Sequence, residues 1–193
     1  MQQTDYLFGF LILANAILVV FSCSCVMQNP YNGYCESENV LVVRALKLIE
    51  HERVNSYEAE IVKVFKSKEP LTRNTTTLNT AKYGSLCGTS LPLNQPMMIS
   101  PSGGDYGGFE FRIGLCDSIR MKYSEKLENF GEDLDCSCRV STGGFGDSFY
   151  PKEMLCPWIG FFNKLSCPNG DRMRCSADDN GECQWRCKSE NFS

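Results

Sequence analysis

Glu38-Asn39-Val40-Leu41-Val42-Val43-Arg44-Ala45-Leu46-Lys47-Leu48 is the stretch on which the fold turns. The run Val40-Leu41-Val42-Val43 is apolar on both faces of an extended chain, so it predicts a strand buried between two layers near the middle of a barrel. Downstream, Tyr57, Ala59, Ile61 and Phe65 alternate with Glu58, Glu60, Val62 and Val64. That period of two predicts a second strand with its charge gathered on one face. Met97-Met98-Ile99 is interrupted by the glycine-rich stretch 103–108, after which Phe109, Phe111 and Ile113 alternate with Glu110 and Arg112. A further strand follows there. From 117 to 130, Ile119, Tyr123, Leu127 and Phe130 recur at spacings of four, four and three, and Gly131 stands where a helix would stop. This spacing predicts one amphipathic helix. Together the elements predict a mainly β fold: an OB-type, five-stranded Greek-key barrel with a flanking helix.

The two ends of the chain set its compartment. Leu7 to Val20 is an apolar run of leader length, too short to span a bilayer, and the small residue Ser22 sits where a signal peptidase cuts. Residues 1–22 therefore read as a signal peptide, making Cys23 the first residue of a secreted chain with no membrane span left after cleavage. The n-region lacks Lys and Arg and carries Asp5, so a retained anchor or a displaced cleavage site is the alternative. All twelve cysteines lie beyond residue 22. An even count at this density in an exported chain reads as a disulfide framework, since the compartment oxidises thiols and small domains need the staples. No Cys-x2-Cys pair of the zinc-ribbon kind occurs. Asn74-Thr75-Thr76 and Asn191-Phe192-Ser193 are N-glycosylation sequons.

Charge and motif content exclude several function classes. With 19 Lys and Arg against 23 Asp and Glu and no basic run, the chain is a poor nucleic-acid partner. The only histidine is His51, and His51-Glu52-Arg53-Val54-Asn55 places Asn where a His-Glu-x-x-His zinc site needs its second histidine. A Ser-His-Asp or Cys-His site would have to use that same residue, in a charged turn between two strands. Glu132, Asp133 and Asp135 read as a solvated acidic turn. Gly103-Gly104 and Gly107-Gly108 are followed by no Lys and no helix start, which leaves no phosphate loop. The chain does not read as an enzyme and needs no cofactor of its own.

Several segments, in order and at matching spacing, carry a family resemblance. They are Cys23-Ser24-Cys25-Val26, Pro30, Cys35, the run 40–45, the segment Tyr57 to Lys66, Ser85-Leu86-Cys87-Gly88 and Leu115-Cys116-Asp117-Ser118-Ile119. Across 23–138 the chain resembles the tissue inhibitors of metalloproteinases (TIMPs). The resemblance implies a netrin-like OB-fold inhibitory domain at 23–137 and a cysteine-rich C-terminal subdomain at 138–193. It implies the bridges Cys23–Cys87, Cys25–Cys116 and Cys35–Cys136, the last with Cys138 as the alternative partner. The closing Cys183-Gln184-Trp185 is similar to the family's Cys-x-Trp element and suggests Cys138–Cys183; Cys156, Cys167, Cys175 and Cys187 stay unassigned. Two departures stand out. The family's His-Pro-Gln triplet is here Asn29-Pro30-Tyr31, and the gap from Cys138 to Cys156 is long.

The same resemblance implies a mechanism. The α-amine and carbonyl oxygen of Cys23 would chelate the zinc of a bound metalloproteinase, of the matrix metalloproteinase or adamalysin type, and displace its water. Ser24 would face the primed-side pocket, and Cys25, Val26 and Met27 would follow along the cleft. Gly84, Ser85 and Leu86 would form a second contact ridge. The expected protein is a secreted monomer that binds zinc metalloproteinases, with extracellular matrix as a further candidate partner. The alternative is a netrin-type module that binds matrix or a growth factor and inhibits nothing.

Overall fold

The computed structural model describes residues 23–25, 29–103, 110–131, 134, 136, 138–141, 155–157, 174–180 and 182–187. The expected leader lies outside the described residues, as do Val26, Met27, Phe109 and Asn191.

A short helix, α1 (Pro30–Glu36), opens the fold. Asn29 starts it: its side chain accepts a hydrogen bond from the Tyr31 N–H at 2.9 Å, and Pro30 supplies a φ already suited to the first turn. Six strands follow, β1 (Val40–Glu50), β2 (Val54–Lys66), β3 (Thr75–Ala81), β4 (Pro96–Ile99), β5 (Glu110–Arg112) and β6 (Arg120–Lys122). They form one sheet in the order β5-β3-β2-β1-β4-β6. Just beyond β4, Ser102 bridges Arg112 of β5 with two backbone hydrogen bonds of 2.9 Å, bringing the edge strand β5 back against the segment that leaves β4 in an OB-like barrel.

β1 lies between two layers, as its doubly apolar run requires. Leu41, Val43 and Ala45 point into the barrel with Tyr57, Ala59, Leu78, Ile99 and Phe111. Val40 and Val42 point the other way, onto Met98, Ile119, Leu127 and Phe130. Irregularities in the β1–β2 register between Val40/Leu41, Val42/Val43 and Ala45/Lys47 bend the pair, and β1 pairs along its other edge with β4. The skipped residue Leu46 turns outward.

The helix expected over 117–130 is not formed. Ile119, Met121 and Tyr123 alternate with Arg120 and Lys122, and this period of two pairs β6 antiparallel with β4 (Met98↔Met121, Ile99↔Arg120). Only the short 3-10 turn Glu125–Leu127 is helical there. Ile119, Leu127 and Phe130 still share one core, which is why their spacing imitated a helix face. The barrel sheet therefore has a sixth strand, and the flanking helix is α1. Gly33 lets α1 approach closely, since a Cβ there would sit 2.8 Å from the Ser118 Cβ.

The C-terminal part contributes two small pairs, β7 (Arg139–Val140) parallel to β8 (Leu155–Cys156), and β9 (Arg174–Ala177) antiparallel to β10 (Cys183–Arg186). It docks on α1, where Asn32 donates to the Val140 carbonyl at 2.8 Å and accepts from the Val140 N–H at 3.0 Å. Arg139 pairs with Glu36, and the Tyr31 ring meets Trp185 edge-on at 6.2 Å.

Three bridges pin the barrel: Cys23–Cys87, Cys25–Cys116 and Cys35–Cys136. They close 64, 91 and 101 residues, and chain entropy assigns loops of that length roughly 4–5 kcal/mol each. The fourth expected pair requires correction. Cys138 bonds Cys175, and Cys183 bonds Cys156. The sulfurs of all four lie within 4.8 Å of one another, and that of Cys183 is 3.0 Å from that of Cys138. The Cys-x-Trp element thus identified the cluster but could not select the pair within it.

Candidate functional site

The parallel pairing of β3 with β5 builds the site. Thr77, Leu78 and Asn79 register with Glu110, Phe111 and Arg112, so both strands leave the barrel at the same end. β3 runs into the turn at 83–87 and β5 into the turn at 114–117, and each turn carries one cysteine of an N-terminal bridge. A backbone hydrogen bond of 2.8 Å from the Leu115 N–H to the Cys87 carbonyl ties the turns together.

Local chemistry shapes the first turn. Leu86 and Gly88 both donate to the Tyr83 carbonyl, and Cys87 donates to Gly84, closing the 3-10 turn Gly84–Leu86. Cys87 takes φ 60°, a left-handed conformation that side chains seldom adopt and that the disulfide and these bonds hold. Gly88 follows because nothing larger fits: a Cβ there would lie 2.0 Å from the Ala81 carbonyl oxygen. Gly84, Ser85 and Leu86 are all exposed, Leu86 by 62 %.

Residues 23–25 lie across these two turns. Cys23 is held to Cys87 and Cys25 to Cys116, each with a Cα–Cα distance of 5.2 Å, while the intervening Ser24 is exposed. The Cys23 sulfur is 3.6 Å from that of Cys116, and the Cys116 sulfur is 4.0 Å from the Ser24 carbonyl oxygen. Cys23, Ser24, Cys25, Gly84, Ser85 and Leu86 are thus brought together at one end of the barrel. Val26 and Met27 lie outside the described residues. Sequence reading missed Leu115 and Tyr83, exposed by 41 % and 55 %, which extend this end as an apolar ridge. The signal available was a large apolar residue directly before Cys116 and an aromatic residue opening the glycine-led turn to Cys87.

Among the described residues, two sulfur groups are compact enough to suggest a metal, Cys23 with Cys87 and Cys116, and Cys138 with Cys156, Cys175 and Cys183. All of these sulfurs are in disulfides, and a disulfide sulfur is not the thiolate that metals bind. His51 is exposed in the β1–β2 turn, where its N–H donates to the Val54 carbonyl at 3.0 Å. Asn74 is exposed at the start of β3, at the opposite end of that strand from the ridge. Among the described residues no helix is long and apolar enough to cross a membrane.

Asp117 is the strongly perturbed acid beside the site. Burial pushes its carboxyl up to about 6, opposed by the hydrogen bond it accepts from the Gly114 N–H at 2.9 Å and by the positive charge of Arg120. Because the folded value exceeds the ordinary 3.8, folding favours the protonated acid. The ionised form costs stability in full above about pH 6, and the cost disappears as pH falls below the ordinary aspartate range. Asp117→Asn keeps an acceptor for Gly114 without the charge. It is expected to raise the Tm by about 2–4 °C at pH 7.5 and to lose that advantage at pH 4, as read by thermal unfolding across pH.

A family profile described as Tissue inhibitor of metalloproteinase matches residues 21–185. The chain is also similar to Metalloproteinase inhibitor 2 of Canis lupus familiaris and of Homo sapiens. Each is 23 % identical over 195 aligned residues, covering 92 % of this chain and 87 % of the relative. The protein of the same name from Rattus norvegicus matches to the same extent.

Proposed function

Because the chain belongs to the tissue inhibitor of metalloproteinase family, we propose that it is secreted and inhibits zinc metalloproteinases by laying the Cys23 α-amine and carbonyl on the catalytic zinc. That it is a metalloproteinase inhibitor, not an enzyme, follows from the family and its relatives. The observation that supports the finer reading is the pair of bridges that holds Cys23 and Cys25 side by side at one barrel end, with Ser24 exposed between them.

A metalloproteinase zinc keeps three protein ligands and a water that attacks the peptide bond. With residues 1–22 removed, the Cys23 amine nitrogen and the carbonyl oxygen of the same residue would be the two donors offered to that zinc in place of the water, which would leave the enzyme without its nucleophile. The Cys23 sulfur takes no part in ligation; its bond to Cys87 holds the amine in place, which lowers the ordering cost of binding. The amine must be unprotonated to coordinate, so inhibition weakens as pH falls below its ordinary value of about 7.7–8.0.

Ser24 would enter the mouth of the primed-side pocket, and Val26 and Met27 would continue along the cleft. Gly84, Ser85 and Leu86 would form the second contact ridge. Residues 23–137 would carry the inhibitory activity, with 138–193 as a separate cysteine-rich subdomain. A glycan on Asn74 would stand clear of this surface. The seven residues of β3 separate the two, about 20 Å at the rise of a strand. The targets would be enzymes of the matrix metalloproteinase or adamalysin type, met outside the cell by a monomeric inhibitor.

The test is inhibition of a metalloproteinase panel by the secreted protein and its residue 24 variants. Ser24→Gly is expected to weaken inhibition of every enzyme. Ser24→Leu should separate deep-pocket from shallow-pocket enzymes by about 10- to 100-fold, the range a few methylenes produce in an apolar pocket. Inhibition constants that do not move with residue 24 would remove the pocket assignment, and no inhibition of any enzyme would leave a matrix-binding module.

A further inference from the structure

We infer that Asp117 is a positioning residue for the zinc-binding end of this inhibitor, acting by locking the turn that anchors the N-terminal segment. The inference rests on the chelation reading above and adds to it the residue that sets the reach of the Cys23 amine.

Two bridges hold the segment that carries Cys23. Its own bridge fixes it to Cys87 alone, and a disulfide side chain by itself still allows the backbone to swing about several bonds. What restricts that swing is the second bridge, two residues on, from Cys25 to Cys116. The geometry at Cys23 therefore depends on the spacing between Cys87 and Cys116, which lie on different turns. The described hydrogen bond that spans those turns is from Leu115 N–H to Cys87 O at 2.8 Å. It forms only if the 114–117 turn presents the Leu115 N–H toward Cys87.

Asp117 sets that presentation. Its Oδ2 accepts from the Gly114 N–H at 2.9 Å, and its own N–H returns to the Gly114 carbonyl at 3.3 Å, so one residue closes the turn from both sides. The close fit extends to Gly114, where a Cβ would lie 3.3 Å from the Cys87 carbonyl oxygen and 3.8 Å from Asp117 Oδ1. A side chain that accepts from Gly114 thus fixes Leu115, Leu115 fixes Cys87 against Cys116, and that spacing fixes Cys23. A carboxyl group in a partly buried site, where its charge is costly, is consistent with a residue kept for its acceptor geometry.

The discriminating experiment is a double-mutant cycle on the full secreted chain. Asp117→Ala and Asp117→Asn are each made with the native N-terminus and with one Ala added before Cys23, and inhibition constants are measured against an active metalloproteinase catalytic domain. Thermal stability and disulfide mapping accompany each variant. Asp117→Ala is expected to weaken inhibition at least tenfold with the native N-terminus and less than twofold with the extended one. Its effect passes through an amine that the extension has already removed. Asp117→Asn, which keeps the acceptor, should stay within threefold of the parent. Should Asp117→Ala fail to fold, Asp117→Glu, which displaces the carboxylate by one methylene, is expected to show the same background dependence. An equal loss in both backgrounds, or none in either, would overturn the positioning role while leaving chelation intact. If the Ala extension alone changed nothing, the chelation reading would fall and the inference with it.

Discussion

One Ala placed before Cys23 is expected to weaken inhibition of a zinc metalloproteinase about a thousandfold, a loss of roughly 4 kcal/mol. The extension puts a peptide group where the chelating amine stood and moves the free nitrogen one residue out. Zinc coordination is lost while the rest of the surface is unchanged. Residual binding then comes from Ser24 and the 84–86 turn, which the two bridges still present. Carbamylation of the Cys23 amine should act in the same direction, because a urea nitrogen is a poor donor. Both are checked by inhibition constants against one enzyme, alongside thermal unfolding and disulfide mapping to show that the fold is intact. An extended protein as potent as the parent would exclude the amine as a ligand.

The largest expected effect on the fold comes from Gly88→Ala. Its Cβ would lie 2.0 Å from the Ala81 carbonyl oxygen, and 2.8 Å from both the Ala81 carbonyl carbon and the Tyr83 carbonyl oxygen. All three are backbone atoms of the strand end and turn that carry the ridge, so no side chain can rotate to make room. Either β3 frays at its end or the turn opens, and both outcomes displace Cys87 from Cys23. A cost of about 3 kcal/mol or more is expected, in the range that single substitutions reach only through such clashes. Secretion yield and Tm measure it. A Gly88→Ala protein secreted normally, with a Tm within about 2 °C of the parent, would show that the turn tolerates what the backbone contacts forbid.

The barrel was legible because its strands carry their burial in their residue types. Val40 to Val43 are apolar on alternating sides, and both sides are buried. Phe111 and Ile113 face the core while Glu110 and Arg112 do not. The region from 117 to 130 was misread because two short elements of different period follow one another. Strand spacing at 119, 121 and 123 and a turn at 125–127 place Ile119, Leu127 and Phe130 in one core without a helix. A partner two strands back in the chain leaves no mark on local spacing, and it is pairing with β4 that selects the strand.

The site was legible at its cysteines. A Cys-x-Cys directly after an apolar run of leader length can be recognised as a double anchor, and the family resemblance supplied the partners Cys87 and Cys116. What brings those partners together is a parallel pairing of β3 with β5, a long-range contact that residue types do not announce. Asp117 was hidden for a related reason. An aspartate after a cysteine in a turn is ordinary until the fold buries it and aims its carboxylate at Gly114. In the C-terminal part, four cysteines fall within 4.8 Å of one another, and at that density spacing cannot select partners.

Zinc coordination by Cys23 is tested most directly on the metal itself. A metalloproteinase catalytic domain carrying cobalt(II) in place of zinc has a visible spectrum set by the ligands around the ion. Titration with the native protein is expected to change that spectrum with an end point at one inhibitor per enzyme, as nitrogen and oxygen donors replace the water. The Ala-extended protein should leave it unaltered at concentrations where it still binds. Full inhibition by the native protein with the cobalt spectrum unchanged would contradict the account, because the enzyme would then be blocked with its water still on the metal.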